Sequence, residues 1–583
     1  MHIIDQIPAI KKARNWLVGR ARNLYDPQLF HKLALIAFFA WVGLGADGLS
    51  SSCYGPEESF LALKGHMFLG IFVALATAAT IFVISASYSQ IIELFPAGGG
   101  GYLVASKLLS PSLGMVSGCA LIIDYVLTIA LSVSSGADAI FSFLPQDLYP
   151  YRFIMALAIV ILLTILNLRG IKESVIPLIP IFIVFLATHV FAIIYGMATH
   201  LSDLGTLAAT TSSDMRATTN EIGMIGMILL MMRAYSMGAD TYTGIEAVSN
   251  GMPILREPRV ETAKKTMRYM AISLAFMAAG LMIGYLLYRV QHCPGKTLNA
   301  VLMESVVMGW NSAAGRTFVL VTLASEALLL FAAAQTGFLG APRVLANMAK
   351  DRWFPFQFAL LSERFVTENG ILLMGGAAFL LVFFSHGSVK FLVVLYSINV
   401  FITFFLSQLG MVRHWWRSKG KERGWLRKIC INGVGLTMTS FILFTIIILK
   451  FRDGGWITIL ITGSLVLLAV LTKRFYYNTR VQLAHLDKLV HAAEISESKT
   501  APAAPEYDPS ARTAVILVNG FNGVGLHTLL NVMRLFGRNF KNYFFVQAGI
   551  VDSERFKGAD ELGRLQQYVK TELGRYVKFM RSQ

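Results

Sequence analysis

Runs of about 20 residues with almost no charge recur along most of this chain, the length at which a helix crosses the hydrocarbon core of a bilayer. Twelve such segments are read at roughly 33–62, 66–94, 112–144, 151–168, 174–197, 223–250, 268–289, 316–341, 370–385, 388–412, 430–449 and 455–472. The composition agrees. Hydrophobic residues make up 55% of the 583 positions and charged residues 15%, against about 25% charged in ordinary globular chains. A soluble fold could not cover that much apolar surface. The expected fold is an all-α polytopic membrane protein of twelve transmembrane helices, with a small C-terminal α/β domain.

The formal charge of +17 points to topology and anionic lipid rather than nucleic acid, because the basic residues lie in short loops between apolar runs. The N-terminal arm (1–32) carries Lys11, Lys12, Arg14, Arg20, Arg22 and Lys32. Further clusters follow the sixth segment (Arg256, Arg259, Lys264, Lys265, Arg268), the eighth (Arg343, Lys350, Arg352, Arg364) and the tenth (Arg413 to Lys428). The loop 199–222 has one arginine against three acids. Both termini are therefore expected to be cytoplasmic. No cleavable signal peptide is read: the first apolar run follows a basic segment and is long enough to stay in the membrane. Cys53, Cys119, Cys293 and Cys430 form no CxxC pair, so neither a disulfide framework nor a zinc site is expected.

Two spans look broken. In the first, Leu33–Leu44 is apolar, Gly45 to Ser52 interrupts it, Tyr54-Gly55-Pro56 follows, and Phe60–Leu63 resumes. In the sixth, Met224–Met232 is apolar, then Gly238-Ala239-Asp240-Thr241-Tyr242-Thr243-Gly244-Ile245-Glu246 leads to Asn250-Gly251. Glycine and proline weaken helices, and serine hydroxyls satisfy freed backbone groups. Glycine also serves close packing in membrane helices, but interrupted spans at matching places in two halves point to a transporter site.

An aspartate at a helix centre in the membrane costs about 2.5–3.5 kcal/mol, so something must offset Asp47 and Glu246, one at each break. Asp124-Tyr125-Val126-Leu127-Thr128 in the third span adds a carboxyl and two hydroxyls, Tyr125 and Thr128 sharing a face. Thr243 and Glu246 have the same spacing, and Tyr54 follows Asp47. Oxygen-rich clusters of this kind suit hard cations. Each residue has a plainer role too: Asp47 as a cap, Tyr125 in packing, Thr128 and Thr243 bonded to their own helices, Asp124 as a structural partner. Glu326 in the eighth span is a further candidate. Asp138 and Lys390 lie near span ends and read as solvated or snorkelling.

After 472 the composition changes. Residues 473–511 read as a charged helix and a Pro/Ala linker, and 512–583 as a β-α-β-α domain with a parallel sheet: strands near 514–518 and 543–551, helices near 526–536 and 559–580. Its Gly520-x-x-Gly523-x-Gly525 loop lies between a strand and a helix, where amides can face an anion, though the spacing is not the dinucleotide fingerprint. The Gly98–Gly101 run lacks a preceding strand and a Lys-Ser/Thr pair, so it reads as a flexible elbow rather than a phosphate loop. No catalytic motif stands out, and no enzyme is expected.

Gly45-Ala46-Asp47-Gly48-Leu49-Ser50-Ser51, Tyr54-Gly55-Pro56-Glu57, Phe95-Pro96-Ala97-Gly98-Gly99-Gly100-Gly101-Tyr102-Leu103-Val104-Ala105, Asp124-Tyr125-Val126-Leu127-Thr128 and Thr243 to Gly251 resemble the KimA-type potassium importers of the amino acid–polyamine–organocation superfamily. The resemblance spans the first six segments. It implies the five-plus-five inverted repeat with two extra helices in a plasma membrane. It also implies potassium as substrate, protons as coupling ion, and no cofactor. By matching position the ion ligands fall on Asp47, Tyr54, Tyr125, Thr128, Thr243 and Glu246. Homodimerisation through the tail and control by a cyclic dinucleotide are further implications. Asp240 has no place in that pattern and leaves the charge balance open. An amino acid or polyamine permease is the alternative, although Asp47 would repel an α-carboxylate at its break. A third reading is a sensor that binds an ion without moving it.

Overall fold

The computed structural model describes residues 35–96, 98, 100–169, 178–362, 366–422, 424–491, 508–550 and 559–582. The N-terminal arm and most of the linker expected before 511 lie outside these residues. The described residues fall into two compact units, 35–348 with 362–467, and 349–361 with 468–582.

The first unit is helical. In order come α1 (Ala37–Ser50), α2 (Gly55–Leu61), α3 (Gly70–Leu94), α4 (Gly100–Leu108), α5 (Pro111–Phe141), α6 (Arg152–Arg169), α7 (Leu178–Thr199), α8 (Leu204–Met237), α9 (Ala247–Asn250), α10 (Arg259–Leu287), α11 (Leu298–Val306), α12 (Ser312–Lys350), α13 (Glu368–Ser385), α14 (Val389–Arg417), α15 (Trp425–Lys450) and α16 (Trp456–Ala484). Among the described residues, ten helical stretches are long and apolar enough to cross a membrane. The chain is an all-α polytopic membrane protein with a small C-terminal α/β extension. The first broken segment is not among the ten, because α1 and α2 are each shorter than a bilayer. Residues 425–491 run as one stretch through a wide turn at Phe451–Gly455, where Gly454 takes φ +119°.

Side chains sort as lipid demands. Ile154, Ile161, Ile183, Phe191, Phe384 and Ile448 are exposed on their helices, where acyl chains meet them at no cost. By contrast α5 is buried almost throughout. Ser110 starts it by accepting the Leu113 amide at 3.2 Å, with Pro111 in the first turn. Gly337 and Gly340 of α12 let that helix press on α5: any side-chain carbon at Gly340 would collide with the Tyr125 ring.

Several expected loops are helical. Residues 204–222 belong to α8, bent at Gly223 (φ +76°) where only glycine is unstrained. The basic run after Glu257 forms the first turns of α10, where Lys265 pairs with Glu261 at 3.0 Å and Lys264 with Glu93. Arg343 lies inside α12. Asp138, expected at a wetted end, is bound by Arg152 at 2.5 Å. In the run expected to be a flexible elbow, Gly100 abuts Asn250, and a carbon added at Gly101 would lie 2.6 Å from Thr403.

The extension pairs β1 (Thr513–Leu517) with β2 (Asn542–Val546) in parallel, from Thr513 opposite Asn542 to Leu517 opposite Val546. Helix α17 (Gly523–Phe536) makes the crossover and α18 (Ala559–Ser582) closes the unit. The second strand ends at Val546, short of the expected 551. Ile516, Val518, Leu526, Leu529, Tyr576 and Phe579 form the core. On the opposite face of the strands Val515, Leu517, Phe544 and Val546 are exposed.

Candidate functional site

The first break lies later than its glycines suggest. Helix α1 continues through Gly45–Ser50, because the serines bond back into their own turn: Ser50 Oγ donates to the Asp47 carbonyl at 2.8 Å and Ser52 Oγ to that of Leu49 at 2.6 Å. A tight turn at Ser51–Cys53 follows, the backbone leaves helical geometry at Tyr54, and Pro56 starts α2. The second break is longer. Helix α8 ends at Met237, a tight turn spans Gly238–Tyr242, Thr243 is extended, Gly244 takes φ +80°, and α9 begins at Ala247.

The two breaks touch. A carbon added at Gly244 would lie 2.5 Å from the Gly48 amide nitrogen. Ser51 Oγ donates to the Thr241 carbonyl at 3.3 Å, and Gly55 abuts Thr241. Asp47, Tyr54, Tyr125, Thr128, Thr243 and Glu246 are all buried. Asp47 feels the charge of Glu246, and Asp124 feels both. Tyr54 feels Asp240 and Asp47, and Tyr125 feels Glu246 and Asp124. Asp47, Tyr54, Tyr125 and Glu246 thus act on one another electrostatically, together with Asp124 of α5 and Asp240 of the second break.

Their oxygens are only partly used. Tyr125 Oη accepts from Asn250 Nδ2 at 2.7 Å. Thr128 Oγ1 donates to the Asp124 carbonyl at 3.0 Å and lies 3.0 Å from the Tyr396 hydroxyl. Thr243 Oγ1 donates to the Asp240 carbonyl at 2.7 Å. These bonds consume the hydrogens of both threonines and leave their lone pairs. Glu246 Oε2, Asp124 Oδ1 and both Asp240 carboxyl oxygens have no partner. A buried carboxylate without a partner is costly unless a proton or a cation compensates it. The set is therefore rich in acceptors and fit for a positive charge.

A family model described as "Amino acid permease" matches residues 36–471. The chain belongs to the amino acid permease family. The potassium transporter KimA of Bacillus subtilis (strain 168) is 31% identical over 459 residues, 76% of the permease and 72% of KimA. The low-affinity putrescine importer PlaP of Escherichia coli (strain K12) is 24% identical over 350 residues, 59% of the permease and 72% of PlaP. A crystallised manganese transporter of Eremococcus coleocola aligns with 75% of the permease and 94% of its own chain, at 14% identity and a TM-score of 0.41, too weak a likeness to bear on the fold. The permease is a transport protein with close homology to the KimA-type importers. Among the described residues no group of three or more His, Cys, Asp or Glu is placed to hold a metal ion.

Of the remaining candidates of the permease, Glu326 lies on α12 and Asp240 within the second break. Glu326 pairs with His189 and Asn299. Asp240 feels Lys450, a fully buried lysine of α15 whose Nζ donates to Ser397 Oγ at 2.9 Å. Sequence reasoning missed Lys450, which looks like an ordinary basic residue closing an apolar run. It also missed Tyr396, Thr336 and Asn250. Thr336 and Tyr396 act on the carboxyls of Asp47 and Asp124, and the Tyr396 hydroxyl lies 3.0 Å from that of Thr128. The polar Tyr396-Ser397 pair inside an apolar run was the available signal.

In the extension, the loop at Gly520, Gly523 and Gly525 is occupied by the chain itself. The Phe521 amide donates to Glu572 Oε2 at 2.6 Å, Asn522 caps the Gly525 amide at 2.9 Å, and Tyr576 Oη donates to the Gly520 carbonyl at 2.9 Å. An incoming anion would have to displace the Glu572 carboxylate.

Proposed function

We propose that this permease imports potassium together with protons, holding the dehydrated ion at mid-membrane between its two helix breaks. Asp47 and Glu246 supply charge, Tyr54, Tyr125, Thr128 and Thr243 supply neutral oxygens, and Asp124 and Asp240 stand as further acids. One observation supports the reading: the second break abuts the first helix at Gly244 and Gly48, beside the buried Asp47 and two residues before the buried Glu246. Such a pair repels unless a cation or a proton lies with it, so exchange of one for the other is a natural transport cycle. Rocking of one helix group against the other would open the site alternately. The 31% identity to KimA, a potassium transporter by name, supports the substrate.

The same proposal takes the chain as twelve spans, counting the broken 37–61 and dividing 425–491 at Gly454, in a five-plus-five inverted repeat. It places the protein in the plasma membrane with both termini cytoplasmic, on the charge distribution of its loops. The exposed apolar strand face at Val515, Leu517, Phe544 and Val546 supports pairing of two copies through the extension. Cyclic dinucleotide control rests on resemblance alone.

The second reading, polyamine uptake, is favoured by the likeness to the putrescine importer and by the same acidic site. Uptake in a potassium-starved host lacking its own importers separates the two. Rubidium accumulation lost in Asp47→Asn and Glu246→Gln is the expected result. Putrescine accumulation without rubidium would replace the first reading by the second, and binding without flux would leave a sensor. A reporter fused after residue 583 should read cytoplasmic.

A further inference from the structure

Away from the two breaks, α7 and α12 bring His189 and Glu326 face to face. His189 Nε2 lies 3.4 Å from Glu326 Oε2, and the two side chains are 0% and 1% exposed. His189 Nδ1 lies 3.0 Å from the Phe185 carbonyl oxygen, which can only accept, so Nδ1 carries a hydrogen. That leaves Nε2 with a lone pair or a second hydrogen. A lone pair facing an ionised carboxylate oxygen would repel it in a medium of low dielectric. Neither His189 Nε2 nor Glu326 Oε2 has a hydrogen-bond partner at this separation, and a proton held between them, as imidazolium against carboxylate or as carboxylic acid against imidazole, would remove that repulsion. Among the described residues no third His, Cys, Asp or Glu joins the two in a group that could hold a metal ion.

The pair is wired to the first break. Glu326 Oε1 accepts from Asn299 Nδ2 at 3.2 Å, and the same nitrogen donates to the Cys53 carbonyl at 3.3 Å. Cys53 is the last residue of the turn that ends α1, one before Tyr54. Tyr285 Oη donates to Asn299 Oδ1. The Cys53 thiol feels the charge of Glu326, and Glu57 of α2, which accepts the Leu298 amide at 3.1 Å, acts electrostatically on Tyr285. These are the titratable groups around the pair: Cys53 and Glu57 from the first broken segment, Tyr285 from α10.

We propose that His189 and Glu326 form a proton-binding dyad, separate from the cation site, that couples proton release to the geometry of the first break through Asn299. With its proton the dyad is neutral overall and compact. Without it, a buried negative charge faces a lone pair. The atoms then separate, Asn299 follows Glu326, and its hold on the Cys53 carbonyl changes. The dyad takes its proton from water on one side of the membrane and returns it to water on the other. The inference rests on the cation-transport reading for its consequence, and on the facing of His189 and Glu326 for the dyad itself.

The test uses the purified full chain, with Glu326→Gln and His189→Gln. Infrared difference spectra recorded across pH in H2O and D2O should contain a carboxyl or imidazolium band that vanishes in both variants. In liposomes, rubidium accumulation driven by a pH gradient should fall about tenfold or more in each variant, while gradient-free rubidium exchange persists. A difference spectrum unchanged by Glu326→Gln, or gradient-driven uptake retained in it, overturns the dyad. Loss of exchange together with gradient drive, in monodisperse protein, also overturns it and leaves a structural pair. Wild-type protein that exchanges no rubidium defeats the potassium reading instead, and the infrared band alone then decides the dyad.

Discussion

Gly244 lies on the backbone of Gly48: a side-chain carbon at Gly244 would sit 2.5 Å from the Gly48 nitrogen and 2.9 Å from its Cα. Two helices cannot approach that closely through side chains. The contact sets the second break against α1, at the residue after Asp47 and two residues before Glu246.

Gly244→Ala should therefore abolish rubidium uptake and lower the melting temperature in detergent. The left-handed φ of +80° alone costs a side chain about 1–3 kcal/mol, and the collision with Gly48 adds to it. Gly223→Ala is the control, since φ there is +76° but nothing lies within 4 Å. It should lose stability and keep uptake. Equal loss of uptake in both would assign the effect to strain alone.

Tyr125→Phe removes the acceptor of the 2.7 Å bond from Asn250 and leaves the ring that packs on Gly340. A bond of this kind is worth about 1 kcal/mol net. The rubidium concentration for half-maximal uptake should rise about fivefold, with the melting temperature little changed. An unchanged uptake curve would remove Tyr125 from the site.

Lys450→Met leaves Asp240 without the basic group that it feels most. Removing one member of a buried charged set costs about 3–5 kcal/mol, because the remaining charge is stranded. Asp240→Asn added to Lys450→Met should recover much of that loss, as a thermal double-mutant cycle would measure. No recovery would mean that Lys450 works through Ser397 or Glu58.

In the extension, the Ser510 hydroxyl (2.6 Å) and amide (3.0 Å) both donate to Asp508 Oδ1 and hold its carboxyl below the ordinary value of 3.8. A lowered folded value stabilises the turn above pH 3.8, and that contribution is lost as pH falls through the lowered value. The Ser510 amide resonance should move with that titration and stay fixed in Asp508→Ala. Movement that persists in the variant would point to another group.

Much of the candidate site was legible because buried acids and hydroxyls stand out in apolar runs. Asp47, Glu246, Tyr125 and Thr128 were visible in that way, and so were both breaks. The boundaries were not. The stretch from Gly45 to Ser52 looked like the break itself, yet α1 runs on to Ser50, whose hydroxyl bonds back to the Asp47 carbonyl. Residues 204–222 looked like a loop because they are polar, whereas polarity is compatible with a helix lying outside the apolar layer.

What the chain's linear pattern determined was the solvent: long apolar runs in a low-charge composition leave lipid as their only stable surroundings and helix as their only backbone solution. What only the tertiary structure decided was which polar groups face one another. Tyr396 came to Thr128, Asn250 to Tyr125, and His189 to Glu326 from segments distant in sequence. Periodicity tells which face of a helix is buried, but not which neighbour buries it. That choice is made by close packing at contacts such as Gly48 with Gly244 and Gly340 with Tyr125.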